Sequence, residues 1–172
     1  MKPLPLALLA LLCAGALITS PARADELAEV QRLQGAGQSA AALQRAERFL
    51  ATKPNDPQMR FVRGVLLSEA QRRSEAMQVF LRLTEDYPEL PEPYNNLAAL
   101  HAAAGNYDAA KAALDQALRA NPGFAAAHEN LGDVLAMMAL RSYARAQQLE
   151  PSNGSAQAKL TLVRQLLDRP PR

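Results

Sequence analysis

Residues 105–122 read GNYDAAKAALDQALRANP, a stretch whose apolar residues recur at the spacing of a helix. Gly105-Asn106 precedes the apolar stripe and is a turn signal, whereas Asn121-Pro122 follows it. Proline cannot continue the helical hydrogen-bond ladder, and it displaces the residue before it from helical geometry. The stretch therefore predicts one helix between two turns, with a buried stripe at Ala110, Leu114, Ala117 and Leu118.

The same turn and helix signals recur along the chain at a fixed interval. Pro54, Pro88 and Pro122 are separated by a constant 34-residue interval. The interval also joins other sets of similar residues: Ala42, Ala76 and Ala110; Gly64, Ala98 and Gly132; Leu97 and Leu131; and, at twice its length, Gly37 and Gly105. Self-similarity at one period is the signature of a repeat architecture.

Each unit is predicted to be a helix hairpin. In residues 91–124 a first apolar stripe precedes the one already described, at Tyr94, Leu97, Leu100 and His101. A lone hairpin cannot bury both stripes, whereas stacking on the next hairpin buries them. The sequence therefore predicts an all-α fold, an α-solenoid of about three full hairpins, a degenerate fourth and a C-terminal capping helix.

The many alanines are interpreted as structural. Two helices approach closely only if the residues at their crossing are small, which assigns this role to Ala98, Ala110 and Ala117. Larger side chains are expected to fill the space around the crossing: Leu97, Tyr107, Leu114 and Leu118.

These units resemble the tetratricopeptide repeat. Residues 91–124 carry nearly the full pattern of that family, through Tyr94, Leu97, Ala98, Gly105, Tyr107, Ala110, Leu114, Ala117 and Pro122. Residues 57–90 match through Gly64, Ala76, Phe80 and Pro88, but depart at Arg63 (usually leucine) and Gln71 (usually glycine). Residues 23–56 match more weakly, through Gly37, Ala42 and Pro54.

The fourth unit, residues 125–153, departs most from the period. Pro151 comes five positions too early for the interval that starts at Pro122, and residues 134–150 contain no Gly, Pro, Asn or Asp to form a turn. One continuous helix over about residues 125–149 is predicted, and the alternative is a tight turn near residues 138–141. A long helix would project apolar side chains that need a cover: Met137, Met138, Leu140 and Tyr143.

Two covers are predicted for that helix. One is a capping helix over residues 155–167, with an apolar stripe at Leu160, Val163 and Leu167 and a polar outer face, followed by a frayed tail at residues 169–172. The other is a second copy of the chain, in a homodimer through residues 134–149.

Residues 1–24 have the pattern of a secretory signal peptide. Lys2 precedes an apolar run, and Ala22-Arg23-Ala24 offers small residues for cleavage after Ala24. One alternative is an uncleaved membrane anchor, but the apolar run is shorter than a bilayer span requires. The other is a lipoprotein, but leucines precede Cys13 where lipid attachment requires a small residue. The expected location is the bacterial periplasm, with a domain over residues 25–168.

Removing the signal leaves a chain without cysteine and without net charge. Lys2 and Arg23 leave with it, so 19 basic residues become 17, against 17 acidic ones. No disulfide or thiol chemistry is expected. Neither nucleic acid nor, after cleavage, a membrane surface is an expected partner, because the chain has no excess of positive charge.

The sequence shows no constellation typical of an enzyme. His101 and His128 stand where the resemblance implies packed apolar or aromatic residues, and no third ligand accompanies them, so packing is favoured over metal binding. Glu129 and Asp133 lie one helical turn apart, and a solvated face is favoured over a catalytic carboxylate pair. No cofactor, metal or catalytic residue is predicted.

The resemblance implies a concave groove lined by the first helix of each hairpin. Carried over by position, its lining is Leu27, Gln31, Phe61, Val65, Ser68, Asn95, Ala99, Ala102, Glu129 and Asp133. This surface grades from apolar to acidic and would complement apolar anchors followed by Lys or Arg. The alternative for Phe61 and Val65 is packing against a neighbouring helix. Relatives that hold a chaperone's C-terminal carboxylate use Lys and Arg in the groove. This chain has Glu, Asn and Gln at those groove positions, so that binding mode is not expected.

Two functions follow from the predicted groove. The favoured one is a non-enzymatic adaptor that binds a protein partner or peptide segment in the cell envelope. The alternative is a periplasmic holdase-like chaperone or assembly factor for exported or membrane-bound clients. An adaptor should capture few partners stoichiometrically, whereas a chaperone should protect unrelated unfolded proteins.

Overall fold

The structure, a computed structural model, describes residues 21–168 of the chain, with side chains from Ala24 onward. Within this range the chain forms eight α-helices and no strand. The helices are α1 (Pro21–Gly35), α2 (Ser39–Thr52), α3 (Pro57–Glu69), α4 (Arg73–Asp86), α5 (Pro91–Ala103), α6 (Tyr107–Ala120), α7 (Ala125–Leu149) and α8 (Gly154–Leu167). The all-α prediction is confirmed.

The turns inside the three hairpins share one backbone conformation. Gly37, Gln71 and Gly105 follow the 34-residue interval and all have positive φ, of 73°, 61° and 76°. In each turn, the next residue donates its amide to a carbonyl near the end of the first helix, as Asn106 does to His101 at 2.9 Å. The chain is thus reversed by the same device three times, even where glycine is absent.

Proline ends each second helix as predicted. The residues before Pro54, Pro88 and Pro122 are the C-caps of α2, α4 and α6, and all have φ between −135° and −142°. The next first helices begin with proline as well, at Pro57 in α3 and Pro91 in α5. A first helical turn tolerates proline because its amide has no intrahelical partner.

Consecutive helices pack against each other along the whole described chain, and α1 with α3 and α5 with α7 also contact. The core of the first two hairpins is centred on Leu66, Leu67, Phe80 and Leu83, all fully buried. A second core joins the third hairpin to α7, through Ala98, Ala110, Leu114, Ala117, Ala127 and Val134. The cores confirm an α-solenoid of stacked hairpins.

Small residues stand where the two helices of a hairpin cross. A Cβ atom added to Gly64 would lie 2.7 Å from Cε1 of Phe80, so α3 and α4 approach as closely as glycine allows. Ala98, Ala110 and Ala117 are at most 1% exposed and share one core cluster, which confirms the predicted crossing in the third hairpin.

The fourth unit is one uninterrupted helix, and the predicted helix over residues 125–149 is confirmed. The position one interval after Gly105 is Ala139, which lies in the middle of α7. Arg141, two positions further on, donates a hydrogen bond to the carbonyl of Gly105 at 2.8 Å and lies over the ring of Tyr107. The extension of α7 is therefore tied to the turn of the third hairpin.

Two expectations for the C-terminal half are wrong. The capping helix forms as α8 with the predicted stripe turned inward, since Leu160 is buried and Val163 and Leu167 are half-buried, but its outer face is only partly polar. Leu162 and Leu166 are 64% and 62% exposed there, beside polar residues such as Gln157, Thr161 and Gln165. His128 is exposed rather than packed, and its Nε2 lies 2.9 Å from the carbonyl oxygen of Pro122. The exposure of His128 follows from α7, which has no second helix folded back on it.

The predicted signal segment lies almost entirely outside the described residues, as does the tail at residues 169–172. Helix α1 begins at Pro21 and so includes the predicted cleavage point after Ala24. Among the helices of residues 21–168, none combines the length and the apolar character that a bilayer span requires.

Candidate functional site

The first helices of the hairpins form one surface, and the structure places the ten predicted groove residues on α1, α3, α5 and the first half of α7. The sequence phase accounts for this, because turns and prolines at a constant interval bring every first helix into the same place in the stack. All ten side chains are exposed or half-buried. They are accessible to a partner, and six of them line two separate cavities.

An apolar cavity of about 420 Å³ lies at the N-terminal end of this surface. It brings together three predicted residues, Leu27, Gln31 and Phe61, from two neighbouring first helices. The rest of its lining is Pro57, Gln58, Val62, Leu90, Glu92 and Pro93. The sequence analysis missed most of these because it counted from the second turn of each helix, whereas the prolines, Gln58 and Glu92 belong to first turns and Leu90 to the connection between hairpins. Val62 lies in the second turn of α3, next to Phe61, and was not selected.

A smaller cavity of about 160 Å³ lies between α5, α6 and α7. It brings together the predicted residues Ala99, Ala102 and Asp133. Asn130 and Met137, which the sequence analysis did not select, also line it. Asn95, the fourth predicted residue in this region, accepts a hydrogen bond at its Oδ1 from Nδ2 of Asn130 at 2.8 Å, so it joins α5 to α7.

Like Asn95, the other three predicted residues line neither cavity. Val65 and Ser68 are half-buried on α3, and Val65 packs against the first core. Glu129 is exposed on α7. The structure therefore divides the predicted groove into an apolar end and a polar end, named for its carboxylates. The cavity at the polar end is itself lined mainly by apolar side chains, with Asn130 and Asp133 among them, and six of the ten residues lie in the two cavities.

Phe61 both packs on a core ring and lines the apolar cavity. Its ring centroid lies 5.7 Å from that of Phe80, with the ring planes tilted by 55°, an arrangement favoured between aromatic side chains. Its other side lines the apolar cavity and remains half-exposed to a partner. Phe61 is thus an apolar anchor held in place by the buried ring of Phe80.

The acidic character of the surface comes from carboxylates without ion-pair partners. No basic side chain within residues 24–168 forms an ion pair with Glu92, Glu129 or Asp133. Glu29 on α1 differs, since hydrogen bonding to Arg32 holds the pKa of its carboxyl below the ordinary value. The first three carboxylates therefore attract cations, whereas Glu29 is already compensated.

A larger cavity of about 500 Å³ lies outside the predicted groove, between α2, α3 and α4. Half of its lining residues are charged. Arg60 pairs with Asp86 at 2.6 Å and Arg63 lies 3.7 Å from Glu47, so its cations are largely compensated by the protein. A neutralised polar cavity is a poor candidate for the main binding surface.

The described side chains offer no metal site, since residues 24–168 contain no group of three His, Cys, Asp or Glu arranged to hold an ion. Glu129 and Asp133 are both exposed, as expected of a solvated helix face. His101 is half-buried on α5 with its Nδ1 unpartnered, and His128 bonds to a backbone carbonyl. The geometry supports recognition of a partner by shape and charge.

Comparison with known proteins identifies the repeats. Two sequence models described as tetratricopeptide repeat match the chain, one over residues 27–91 and one over residues 91–134. Together the matches cover more than half of the sequence. The chain contains tetratricopeptide repeats. Such repeats are generally scaffolds for protein–protein interaction and typically non-catalytic.

Solved tetratricopeptide structures share this fold. A thermophilic TPR protein of Thermus thermophilus is 22% identical, with 85% of this chain and 83% of that chain covered and a TM-score of 0.64. The Sgt2 TPR domain from Aspergillus fumigatus is 18% identical, with coverage of 75% and 83% and a TM-score of 0.64. An O-GlcNAc transferase of Thermobaculum terrenum is 21% identical, with 74% of this chain but only 27% of that chain covered and a TM-score of 0.62. At these identities the likeness concerns the fold alone.

Proposed function

We propose that this protein is a non-enzymatic adaptor that holds a segment of a partner protein in its groove, in the envelope of a bacterial cell. The observation that carries the proposal is the apolar cavity at Leu27, Phe61 and Leu90, which lies on the same surface as the unpaired carboxylates Glu129 and Asp133. A partner segment with aliphatic or aromatic anchors followed by Lys or Arg fits both ends. The envelope location rests on the signal-like sequence of residues 1–24.

A holdase-like chaperone or assembly factor is the second candidate. The open, apolar character of the cavity favours it, because such a cavity accepts many unfolded segments without selecting among them. The adaptor predicts selective, stoichiometric capture. The chaperone predicts that the protein suppresses aggregation of unrelated unfolded proteins, which light scattering measures.

A crosslinking pull-down from the envelope fraction, with the full chain as bait, tests the groove. Phe61→Ala removes the aromatic anchor and Glu129→Lys reverses the charge at the polar end, so each should lower partner capture by roughly tenfold. Leu81→Ala on α4, whose parent leucine is 50% exposed and lines neither cavity, serves as the control. Circular dichroism checks that every variant keeps its helical content. Undiminished capture by both groove variants would place the binding face elsewhere.

Homodimerisation through residues 134–149 also remains a proposal. Leu135 and Leu149 are 45% and 69% exposed on α7, which supports it. Other apolar residues of that segment have partners within the chain: Met138 packs against the second core, and Lys159 of α8 lies over the ring of Tyr143.

A further inference from the structure

Helix α7 exposes the face that first helices elsewhere bury inside their own hairpin. In the second unit this face consists of Arg60, Gly64 and Leu67. Arg60 pairs with Asp86 of α4, Gly64 lies against Phe80 of α4, and Leu67 is fully buried. The equivalent residues of α7, two intervals later, are His128, Gly132 and Leu135. His128 is exposed, Leu135 is 45% exposed, and a Cβ atom added to Gly132 would meet nothing within 4 Å. We call His128, Gly132 and Leu135 the open face of α7.

The open face exists because the fourth hairpin never closes. Ala139 occupies the position of the turn residues Gly37, Gln71 and Gly105, but it is helical and the chain continues straight to Leu149. The next helix, α8, then packs against the later part of α7, where Lys159 lies over Tyr143. Gly132 is the small residue that a close helix crossing requires, but no second helix crosses α7 at this position.

Helix α8 carries a complementary stripe on its outer side. Ala158, Leu162 and Leu166 are spaced by one helical turn and exposed, and the two leucines are 64% and 62% exposed. The second helices that close hairpins have the same spacing, as in Ala110, Leu114 and Leu118 of α6. The stripe of α8 therefore has the composition of a second helix but no first helix to pack against. We call Ala158, Leu162 and Leu166 the outer stripe of α8.

Charge favours contact between these two surfaces on different copies of the chain. Residues 25–133 contain eleven basic and fifteen acidic side chains, whereas residues 134–172 contain six basic and two acidic ones. The formal charges are thus −4 and +4. Glu129 and Asp133 lie beside the open face without ion-pair partners, and Lys159 lies beside the outer stripe. Opposite charges of this kind steer two copies together with α8 of one near α7 of the other.

We propose that the open face of α7 binds helix α8 of a second copy of this chain, with Leu162 and Leu166 packed against Gly132 and Leu135. The incoming helix supplies the missing second helix of the fourth hairpin. Each copy has one open face and one outer stripe, so two copies that exchange both contacts close as a two-fold dimer, whereas one-way contacts would extend head to tail. This interface includes residues 128–135, which overlap the segment 134–149 only at its start. It leaves the apolar end of the groove, at Leu27 and Phe61, free, whereas Glu129 and Asp133 of the polar end lie beside it.

Sedimentation equilibrium of the full chain, over concentrations from low to high micromolar, tests the proposal. The unmodified chain should show a concentration-dependent dimer. Gly132 is exposed and an added Cβ atom there meets nothing within 4 Å, so Gly132→Arg should fill the open face while the monomer stays folded. Leu162→Ser with Leu166→Ser removes an already exposed stripe and should also leave the fold intact. Each should raise the dimer dissociation constant by at least roughly tenfold. Leu81→Ser, at another exposed leucine, should leave it unchanged.

Mixing the two variants identifies which surfaces meet. The Leu162→Ser/Leu166→Ser chain retains an open face, and the Gly132→Arg chain retains an outer stripe. In the mixture, the outer stripe of the Gly132→Arg chain can bind the open face of the Leu162→Ser/Leu166→Ser chain, which restores one of the two contacts. A heterodimer should therefore form at concentrations where neither variant alone dimerises. A chain that is monomeric at every concentration, a dimer that persists in both variants, or a mixture that stays monomeric would overturn the proposal. So would a monomeric chain whose exposed leucines instead bind phosphatidylglycerol vesicles.

Discussion

At the scale of single residues, two glycines in equivalent positions have opposite surroundings. Gly64 is buried against Phe80, whereas Gly132, two intervals later, has no neighbour because α7 lacks a second helix. The sequence predicted a small residue at both positions from the 34-residue interval. It did not indicate which one is under steric pressure, since that depends on whether the hairpin closes.

This difference predicts opposite effects of the same substitution. Gly64→Ala places a methyl group 2.7 Å from the buried ring of Phe80, and the free energy of unfolding should fall on the order of 1 kcal/mol even after the gain in helix propensity. Gly132→Ala adds only that propensity and should raise the free energy of unfolding by roughly 0.5–1 kcal/mol. Urea denaturation measures both. A loss of stability in Gly132→Ala would contradict the open face.

Gln71 offers a second residue-scale test. It adopts a left-handed backbone conformation, with φ of 61°, that side chains with a Cβ atom disfavour by roughly 1–2 kcal/mol. Gln71→Gly should therefore raise the free energy of unfolding by about 1 kcal/mol, since the exposed hydrogen bond from Arg73 that it removes contributes little.

The reciprocal change is the matched control for Gln71→Gly. Gly37 has the same conformation, with φ of 73°, and nothing within 4 Å of an added Cβ atom. Gly37→Gln should lower the free energy of unfolding by about the same 1 kcal/mol, through the backbone alone. If Gln71→Gly left the thermal midpoint unchanged while Gly37→Gln lowered it, the equivalence of the two turns would be refuted.

At the scale of elements, the continuity of α7 is the feature that shapes the C-terminal half. The sequence predicted it from an absence, because residues 134–150 contain no turn former and Pro151 comes too early for a full hairpin. The outcome for α8 was not predictable in the same way. The predicted stripe at Leu160, Val163 and Leu167 does face inward, but a polar outer face was expected from the usual role of a cap, and the exposed Leu162 and Leu166 lie on it.

Proline substitution tests whether α7 is one helix. Ala139→Pro removes a hydrogen bond and introduces a clash in the middle of the helix, and it should lower the free energy of unfolding by about 3 kcal/mol or more. Ala125→Pro is the control, because it places proline at the first position of α7, where α3 and α5 already have Pro57 and Pro91. Circular dichroism during urea denaturation measures both. Equal tolerance of the two prolines would indicate a turn near residue 139.

At the scale of the whole molecule, periodicity predicted the stack and the placement of the candidate groove residues on its first helices. The groove positions carried over by the repeat phase, such as Leu27, Phe61 and Ala99, fall on first helices as expected. The cavity walls contributed by Leu90 and Pro93 were missed, because they come from the connection between hairpins and from first turns. The positions of these two side chains in the cavity depend on how neighbouring hairpins stack. A single sequence does not show that arrangement directly.

The central claim is that the groove on the first helices is where this protein binds its partner. Site-specific photo-crosslinking in living cells tests it most directly, with a photoreactive amino acid at Gln31 beside the apolar cavity, at Ala99 beside the smaller cavity, or at Leu81 on α4 as control. The account predicts one discrete crosslinked protein from Gln31 and Ala99 and none from Leu81. Crosslinking from Leu81 with none from either groove position would contradict it.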